Sequence, residues 1–411
     1  MSMREPADYQ TGPRILHISA DYPNPHRNRT TTAIERLVRR AAGAEGNAQI
    51  GEHIVMSLNR TSKPWKTHFI DCGERHGVRV YSYRYFGLPM GLGLARTMRR
   101  VARKIASTLS AESWKPDLIH AHKFAFEGIA GLWLAEHYGD DVRLFVSVRG
   151  ESERNVLLFK PDYRPLMRRI AAHADMLYHV SAWFRPAFHE HIPEQPEKER
   201  LLPNIVGNTS AALPSLPANG RFATVLHLNL RKRKGLNDLL KGFALFLETN
   251  PGICLDIIGP GDDETVAAVI KEIDELDLAA SVKLLGGMDG KTLFSHLPNY
   301  LALALPSHQE TFGMVYLEAL FAGIPILYSQ NTGIDGYLDG MDAGVGIEAG
   351  NVQDIASALE TLYRKNEAYR QSIAASGQLL HDRFNPDAIA EGYRADIERF
   401  CCQTNSRETA K

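Results

Sequence analysis

Residues 300–328, YLALALPSHQETFGMVYLEALFAGIPILY, constrain the fold of this chain more than any other stretch. The apolar run Tyr300 to Leu305 has the length of a buried strand, and Pro306 with Ser307 ends it. From Gly313 the residues Val315, Leu317, Ala319, Leu320 and Phe321 suit a largely buried helix, which Gly323 closes before Ile324 to Tyr328 resume as a strand. The pattern predicts a strand, helix, strand crossover. One carboxylate, Glu310, precedes the helix, and another, Glu318, lies inside it.

An isolated carboxylate among so many apolar neighbours is costly unless hydrogen-bond donors meet it, so Glu318 calls for a ligand. The start of a helix offers N–H groups and partial positive charge, which suit a phosphate. Glu318 lies roughly 7.5 Å further along at 1.5 Å per residue. A nucleotide with its diphosphate at Gly313 and its ribose hydroxyls at Glu318 fits that spacing, with Glu310 beyond the phosphate, near whatever group the nucleotide carries.

The segment PSHQETFGMVYLEALFAGIPIL resembles the donor-site motif of the family-4 retaining glycosyltransferases of the GT-B fold. The core of that motif is two glutamates separated by seven residues, set here among Pro306-Ser307, Phe312-Gly313 and Ala322-Gly323-Ile324-Pro325. The resemblance implies an α/β chain of two Rossmann-like doubly wound domains facing across a cleft that holds the active site. It implies transfer of a sugar from a UDP- or GDP-type nucleotide sugar, with retention, to a glycan, lipid-linked or small-molecule acceptor, as in polysaccharide biosynthesis. Glu310 would position the sugar, while Phe312, Gly313 and Glu318 would bind the donor. A nucleotide-sugar epimerase or hydrolase on the same fold, and a catalytically weak nucleotide-sugar binding protein, are the alternatives.

At 411 residues the chain exceeds what one core organises, so two domains are expected. They are read as 13–205 on the acceptor side and 221–386 on the donor side, with a linker at 206–220 and a final helix at 387–403 that crosses back to the first domain. A net charge of −1 names no partner. No stretch approaches the ~20 apolar residues of a membrane span, and the polar N-terminus lacks a signal-peptide core, so a cytoplasmic location is expected. Cys72, Cys254, Cys401 and Cys402 have neither metal-ligand spacing nor a disulfide framework and read as reduced thiols.

In the first half, strands are expected at 14–19, 53–58, 78–83, 118–120, 144–148 and 176–180, with helices between most of them, as in a mainly parallel sheet. His120 and His122 end the strand of PDLIHAHKFAFEG and should face opposite sides. The resemblance assigns His122 to the donor sugar or its phosphate, approaching from the first domain. Where relatives carry a Gly-Gly pair in the first loop, Thr32 and Ala33 stand, with Arg27 and Arg29 nearby to supply charge. Arg149 is a candidate contact to a phosphate or an acidic acceptor, with a salt bridge to Glu151 or Glu153 as the alternative. The basic helix at 94–109, with Arg96, Arg99, Arg100, Arg103 and Lys104, suits peripheral contact with the cytoplasmic face of a membrane.

In the second half, TVLHLNL (224–230) restarts the strand pattern, and Gly235 begins a helix. Between them Arg231-Lys232-Arg233-Lys234 is placed to neutralise a diphosphate. The resemblance assigns Lys234, which precedes Gly235, to that role. The family's Arg falls on Asn229, which leaves Arg231, Arg233 or Asn229 itself for the second contact. Gly286, with Gly287, is assigned to the pocket for the base. The basic run lacks aromatic interleaving, so no nucleic acid is expected. No cofactor or metal is implied, the nucleotide sugar being a substrate.

Overall fold

The computed structural model describes residues 12–26, 31–43, 50–207 and 220–401. They form two compact units, one of residues up to 180, 185–205 and from 386 onward, the other of 181–184 and 206–385. Arg27, Arg29 and most of the 206–220 stretch lie outside the described residues.

The first unit holds β1 (Arg14–Ser19), β2 (Glu52–Thr61), β3 (His68–Arg75), β4 (Val78–Phe86), β5 (Leu118–Ala121), β6 (Arg143–Val148), β7 (Met176–His179) and β8 (Glu199–Leu201). They make one sheet in the order β3-β4-β2-β1-β5-β6-β7-β8, parallel except for the antiparallel pair β3 and β4. Periodicity missed β3, a largely exposed edge strand joined to β4 through His76 and Gly77, both at positive φ. It also missed β8, which has three residues. Strand order reverses between β1 and β5, so the loops leaving these strands lie side by side, the position where open α/β sheets gather ligands.

The final helix, Pro386–Cys401, belongs to this unit. Its Tyr393 packs on Phe145 and Tyr178, and Tyr178 donates to Asp396 at 2.7 Å. The basic helix, Leu94–Ala111, buries Leu94, Met98, Val101, Ile105 and Leu109 within the protein. Arg99 and Arg103 lie 4.6 and 5.6 Å from the Trp133 ring and Lys104 lies 4.7 Å from Phe69. The apolar face of the helix packs into the protein's own core, and Arg96, Arg99, Arg100, Arg103 and Lys104 are exposed. Among the described residues, no helix is long and apolar enough to cross a membrane. Cys72 and Cys254 are free thiols, and Cys402 lies outside the described residues.

The second unit holds β9 (Arg221–Val225), β10 (Cys254–Ile258), β11 (Val282–Gly286), β12 (Leu303–Leu305), β13 (Ile326–Ser329) and β14 (Gly344–Ile347), all parallel, in the order β11-β10-β9-β12-β13-β14. This is a doubly wound sheet, with its reversal between β9 and β12. β9 ends at Val225, well before the expected Leu230, because Leu228–Leu230 turn into a 3-10 helix. The crossover from β12 to β13 runs through the helix Met314–Phe321, whose Tyr316, Leu317, Ala319, Leu320 and Phe321 are buried.

Candidate active site

Because β9 and β12 flank the reversal, the loop after β9, with its four cations, lies against the loop after β12, with Glu310. Backbone and side chain stitch them: the His308 N–H donates to the Arg233 carbonyl at 3.0 Å, and Arg233 Nε donates to the Gln309 carbonyl at 3.1 Å. Gly235 has φ +69°, and a Cβ there would lie 2.0 Å from the Pro306 carbonyl oxygen, so the close approach requires glycine. The result is a direct ion pair between Lys234 Nζ and Glu310 Oε2. Reading the two residues separately from the sequence missed this pairing.

Glu310 is 8% exposed and rigidly held. Its N–H donates to Thr332 Oγ1 at 2.7 Å, and Thr332 Oγ1 donates back to the Glu310 carbonyl at 2.9 Å. Ser181 Oγ and Trp183 Nε1 donate to the neighbouring Thr311 carbonyl at 2.6 and 3.1 Å. Gly313, at φ +75°, opens the helix Met314–Phe321 without a side-chain cap, and a Cβ on it would come 3.2 Å from Glu310 Cγ. Glu310, Lys234 and the uncapped helix start therefore share one corner. Glu318 lies on the same helix, half-buried and so less enclosed than its apolar neighbours imply.

The other cations diverge. Arg231 Nη1 lies 3.5 Å from both Asn237 Oδ1 and Glu272 Oε2. Asn229 pairs with Asp262, which caps the helix Asp263–Glu275 by accepting from the Thr265 N–H at 2.8 Å. Arg231 and Asn229 are thus engaged with the Asp263–Glu275 helix and its cap, whereas Arg233 braces the Glu310 loop. Phe312 is a core residue, packed edge-on to Tyr337 and Phe384. Gly286 is exposed at the end of edge strand β11, with φ +73°.

In the first unit β5 stops at Ala121, one residue before His122. The His122 ring stacks on His120 with centroids 3.9 Å apart, on one side of the sheet; the expectation that the two face opposite ways fails because residues two apart in extended backbone share a face. His120 is bonded to Tyr393 Oη at 2.8 Å and Ser147 Oγ at 2.9 Å. His122 Nε2 lies 3.1 Å from His17 Nδ1. Arg149 is buried and donates through Nε to the His122 carbonyl at 2.9 Å and through Nη1 to Asn204 Oδ1 at 3.1 Å. Glu153 instead accepts from the Phe124 N–H at 2.9 Å.

Glu127 was not singled out from the sequence, yet it sits beside this reversal point. Its Oε1 accepts from the Ala20 N–H at 2.7 Å, while Oε2 is buried without a hydrogen-bond partner among the described residues. Burial outweighs the attraction of Lys123 and raises its pKa from 4.5 to about 7. The folded chain then binds a proton that the unfolded chain has lost, so stability should fall as pH rises between 4.5 and about 7, by at most about 3 kcal/mol. Glu127→Gln keeps an acceptor for Ala20 and should flatten that slope in denaturant unfolding across the interval. An unchanged slope in the variant would contradict the assignment.

Two groups of metal-type ligands converge among the described residues. In the first, His17, His120 and His122, both ring nitrogens of His17 and of His120 are taken by hydrogen bonds. In the second, His179 Nε2 and His189 Nε2 lie 3.3 and 3.0 Å from Glu199 Oε2. Arg185 lies 3.5 Å from that same oxygen, and Gln195 N–H donates to the other. Although burial opposes it, the hydrogen bonds from His179 and Gln195 hold Glu199 down to about 2. Arg185 already supplies positive charge there, so this donor set reads as an ion-pair network tying β7 to β8.

Two family models match the chain: "Glycosyl transferase 4-like domain" over residues 25–204 and "Glycosyl transferases group 1" over 215–378. Among curated relatives, the glycogen synthase of Mycobacterium tuberculosis is 25% identical over 401 residues, covering 92% of each chain. Sucrose-phosphate synthase from Thermosynechococcus elongatus superposes with a TM-score of 0.71 at 17% identity, covering 95% of this chain and all of that one. Anabaena Alr3699/HepE in complex with UDP gives 0.67 at 17% identity over 94% of this chain and all of its own. The two sheets, their reversal points, the paired glutamate motif and these matches agree: the chain is a glycosyltransferase and belongs to the family-4 group of the GT-B fold.

Proposed function

We propose that the chain transfers a sugar from a nucleotide-sugar donor, with retention at the anomeric carbon, to a glycan, lipid-linked or small-molecule acceptor. The observation that carries this reading is the Lys234–Glu310 pair at the uncapped start of the helix Met314–Phe321. In the reaction the bond from C1 to the diphosphate breaks and a bond from the acceptor oxygen to C1 forms, through a state of oxocarbenium character. Lys234 and the helix start would stabilise the charge that grows on the leaving diphosphate, with no metal ion needed in this reading. Glu310 would then exchange its contact with Lys234 for one with the sugar. The acceptor proton would go to the departing phosphate. His122 would take a substrate hydroxyl. Glu318 would hold the ribose, and Gly286 would border the base.

Retention is supported by the resemblance of the motif to a retaining family, and a nucleotide-sugar donor also by the UDP held in the HepE neighbour. The direct test is turnover by the purified chain over a panel of UDP- and GDP-sugars, screened first by thermal shift. At least one donor should stabilise the chain and be consumed faster when its acceptor is present. Stabilisation without turnover would leave a binding protein, and consumption independent of any acceptor a hydrolase. Glu318→Ala should weaken UDP and GDP alike, because the ribose is common to both, and unchanged calorimetric affinity in the folded variant would remove Glu318 from the site.

A further inference from the structure

Four buried histidines share one face of the first unit's sheet, and three of them form a hydrogen-bonded row: His53 on β2, His17 on β1 and His122 just past β5. The row begins at a group of fixed polarity. His53 Nε2 lies 2.8 Å from the Ile50 carbonyl, and a carbonyl can only accept, so the proton is on Nε2. Burial pushes the pKa of His53 down to about 4, which leaves its ring neutral and its Nδ1 a lone pair. That lone pair is 3.0 Å from His17 Nε2, which must therefore be the donor. His17 is held well below its ordinary pKa by burial and by its histidine neighbours, so its Nδ1 is in turn an acceptor, 3.1 Å from His122 Nε2.

The polarity thus passes along the row and fixes the last member. His122 carries its proton on Nε2, and its lone pair sits on Nδ1, a buried atom with no hydrogen-bond partner among the described residues. Burial opposes a second proton on the ring, as do His120, His17 and Arg149, the last bonded to the His122 carbonyl. His120 cannot reset the row, because both its nitrogens go to hydroxyls that donate or accept equally well.

We propose that His53 and His17 are positioning residues that lock His122 as a hydrogen-bond acceptor at Nδ1, so that it takes a hydroxyl of a sugar and not a phosphate oxygen. Two lone pairs repel, so an ionised phosphate gains nothing at Nδ1, whereas an O–H satisfies an otherwise unmet buried acceptor. The inference rests on the proposed sugar transfer for the identity of the hydroxyl, and on the hydrogen-bond geometry and burial of the row for the tautomer.

Long-range proton–nitrogen NMR of the full chain with 15N-labelled histidine reads the tautomer directly, with the His122 signals identified by their loss in His122→Gln. The expected result at neutral pH is a protonated Nε2 and a bare Nδ1 on His122. A proton on Nδ1, alone or together with one on Nε2, would overturn the proposal. In kinetics, His53→Phe should lower kcat/KM for sugar transfer about tenfold, the loss expected when one neutral hydrogen bond is misaligned, with nucleoside diphosphate affinity unchanged. His53→Asn restores an acceptor for His17 and should recover most of the loss; equal loss in both variants would mean a purely packing role. The expected tautomer in a chain without transfer activity would leave the row standing and remove the sugar from it.

Discussion

Replacing Glu310 by alanine should lower kcat for sugar transfer by about 10² or more, the scale on which removing one preorganised electrostatic group acts on a transition state. Its carboxylate is held by a loop fixed at Thr332, Gly333, Ser181 and Trp183, so its direction is set before any substrate arrives. In the ligand-free chain it neutralises Lys234. Removing it should therefore leave a nucleoside diphosphate bound at least as tightly as before, since Lys234 is then free to face the phosphates. Near-normal turnover in a folded Glu310→Ala protein would sink the assignment. Weaker diphosphate binding in that protein would show that the pair does not compete with the ligand.

Lys234→Ala should weaken a nucleoside diphosphate by ~1.5–3 kcal/mol, the range of a charge-assisted hydrogen bond, and barely affect the bare nucleoside. The loss should fall toward the upper end, because the variant also leaves the Glu310 carboxylate unpaired beside the phosphates. The double variant Lys234→Ala with Glu310→Ala should then bind the diphosphate better than Lys234→Ala alone, a non-additivity expected of contacting residues. Calorimetry with UDP against uridine and GDP against guanosine checks both statements. Equal weakening of nucleotide and nucleoside would take Lys234 off the diphosphate. Arg231→Ala should leave both affinities unchanged, since Arg231 faces Asn237 and Glu272.

The parallel strands with apolar interiors, the crossover around Glu310 and Glu318, and the last helix were legible because hydrophobic period and punctuation encode them locally. Edge strands were not. β3 is mostly exposed and β8 is three residues long, so neither carries a period. The motif located Lys234 and Glu310, but their ion pair depends on where β9 and β12 lie in the sheet, and strand order is a long-range property. The same limit explains Arg231 and Asn229: nothing local in the sequence distinguishes their directions from that of Lys234, yet the turn after β9 sends Asn229 to Asp262, Arg231 to Glu272 and Lys234 to Glu310. His122 was located by the resemblance, and the expectation that it faces away from His120 failed because residues two apart in extended backbone share a face. Its partners His17 and His53 lie 105 and 69 residues away in the chain (122 − 17 and 122 − 53), with no local signal to join them. Thr332 and Glu127, which hold the two loops, each stand alone in the sequence and are recognisable only from their buried hydrogen bonds.

The most direct test of the account is the anomeric configuration of the first linkage made from an α-linked nucleotide sugar, followed by proton NMR from the start of the reaction with the donor and acceptor that the panel selects. A retaining transferase gives an α-linked product and a free nucleoside diphosphate in equal amounts. A β-linked product would contradict the retaining mechanism proposed for the Glu310 and Lys234 corner.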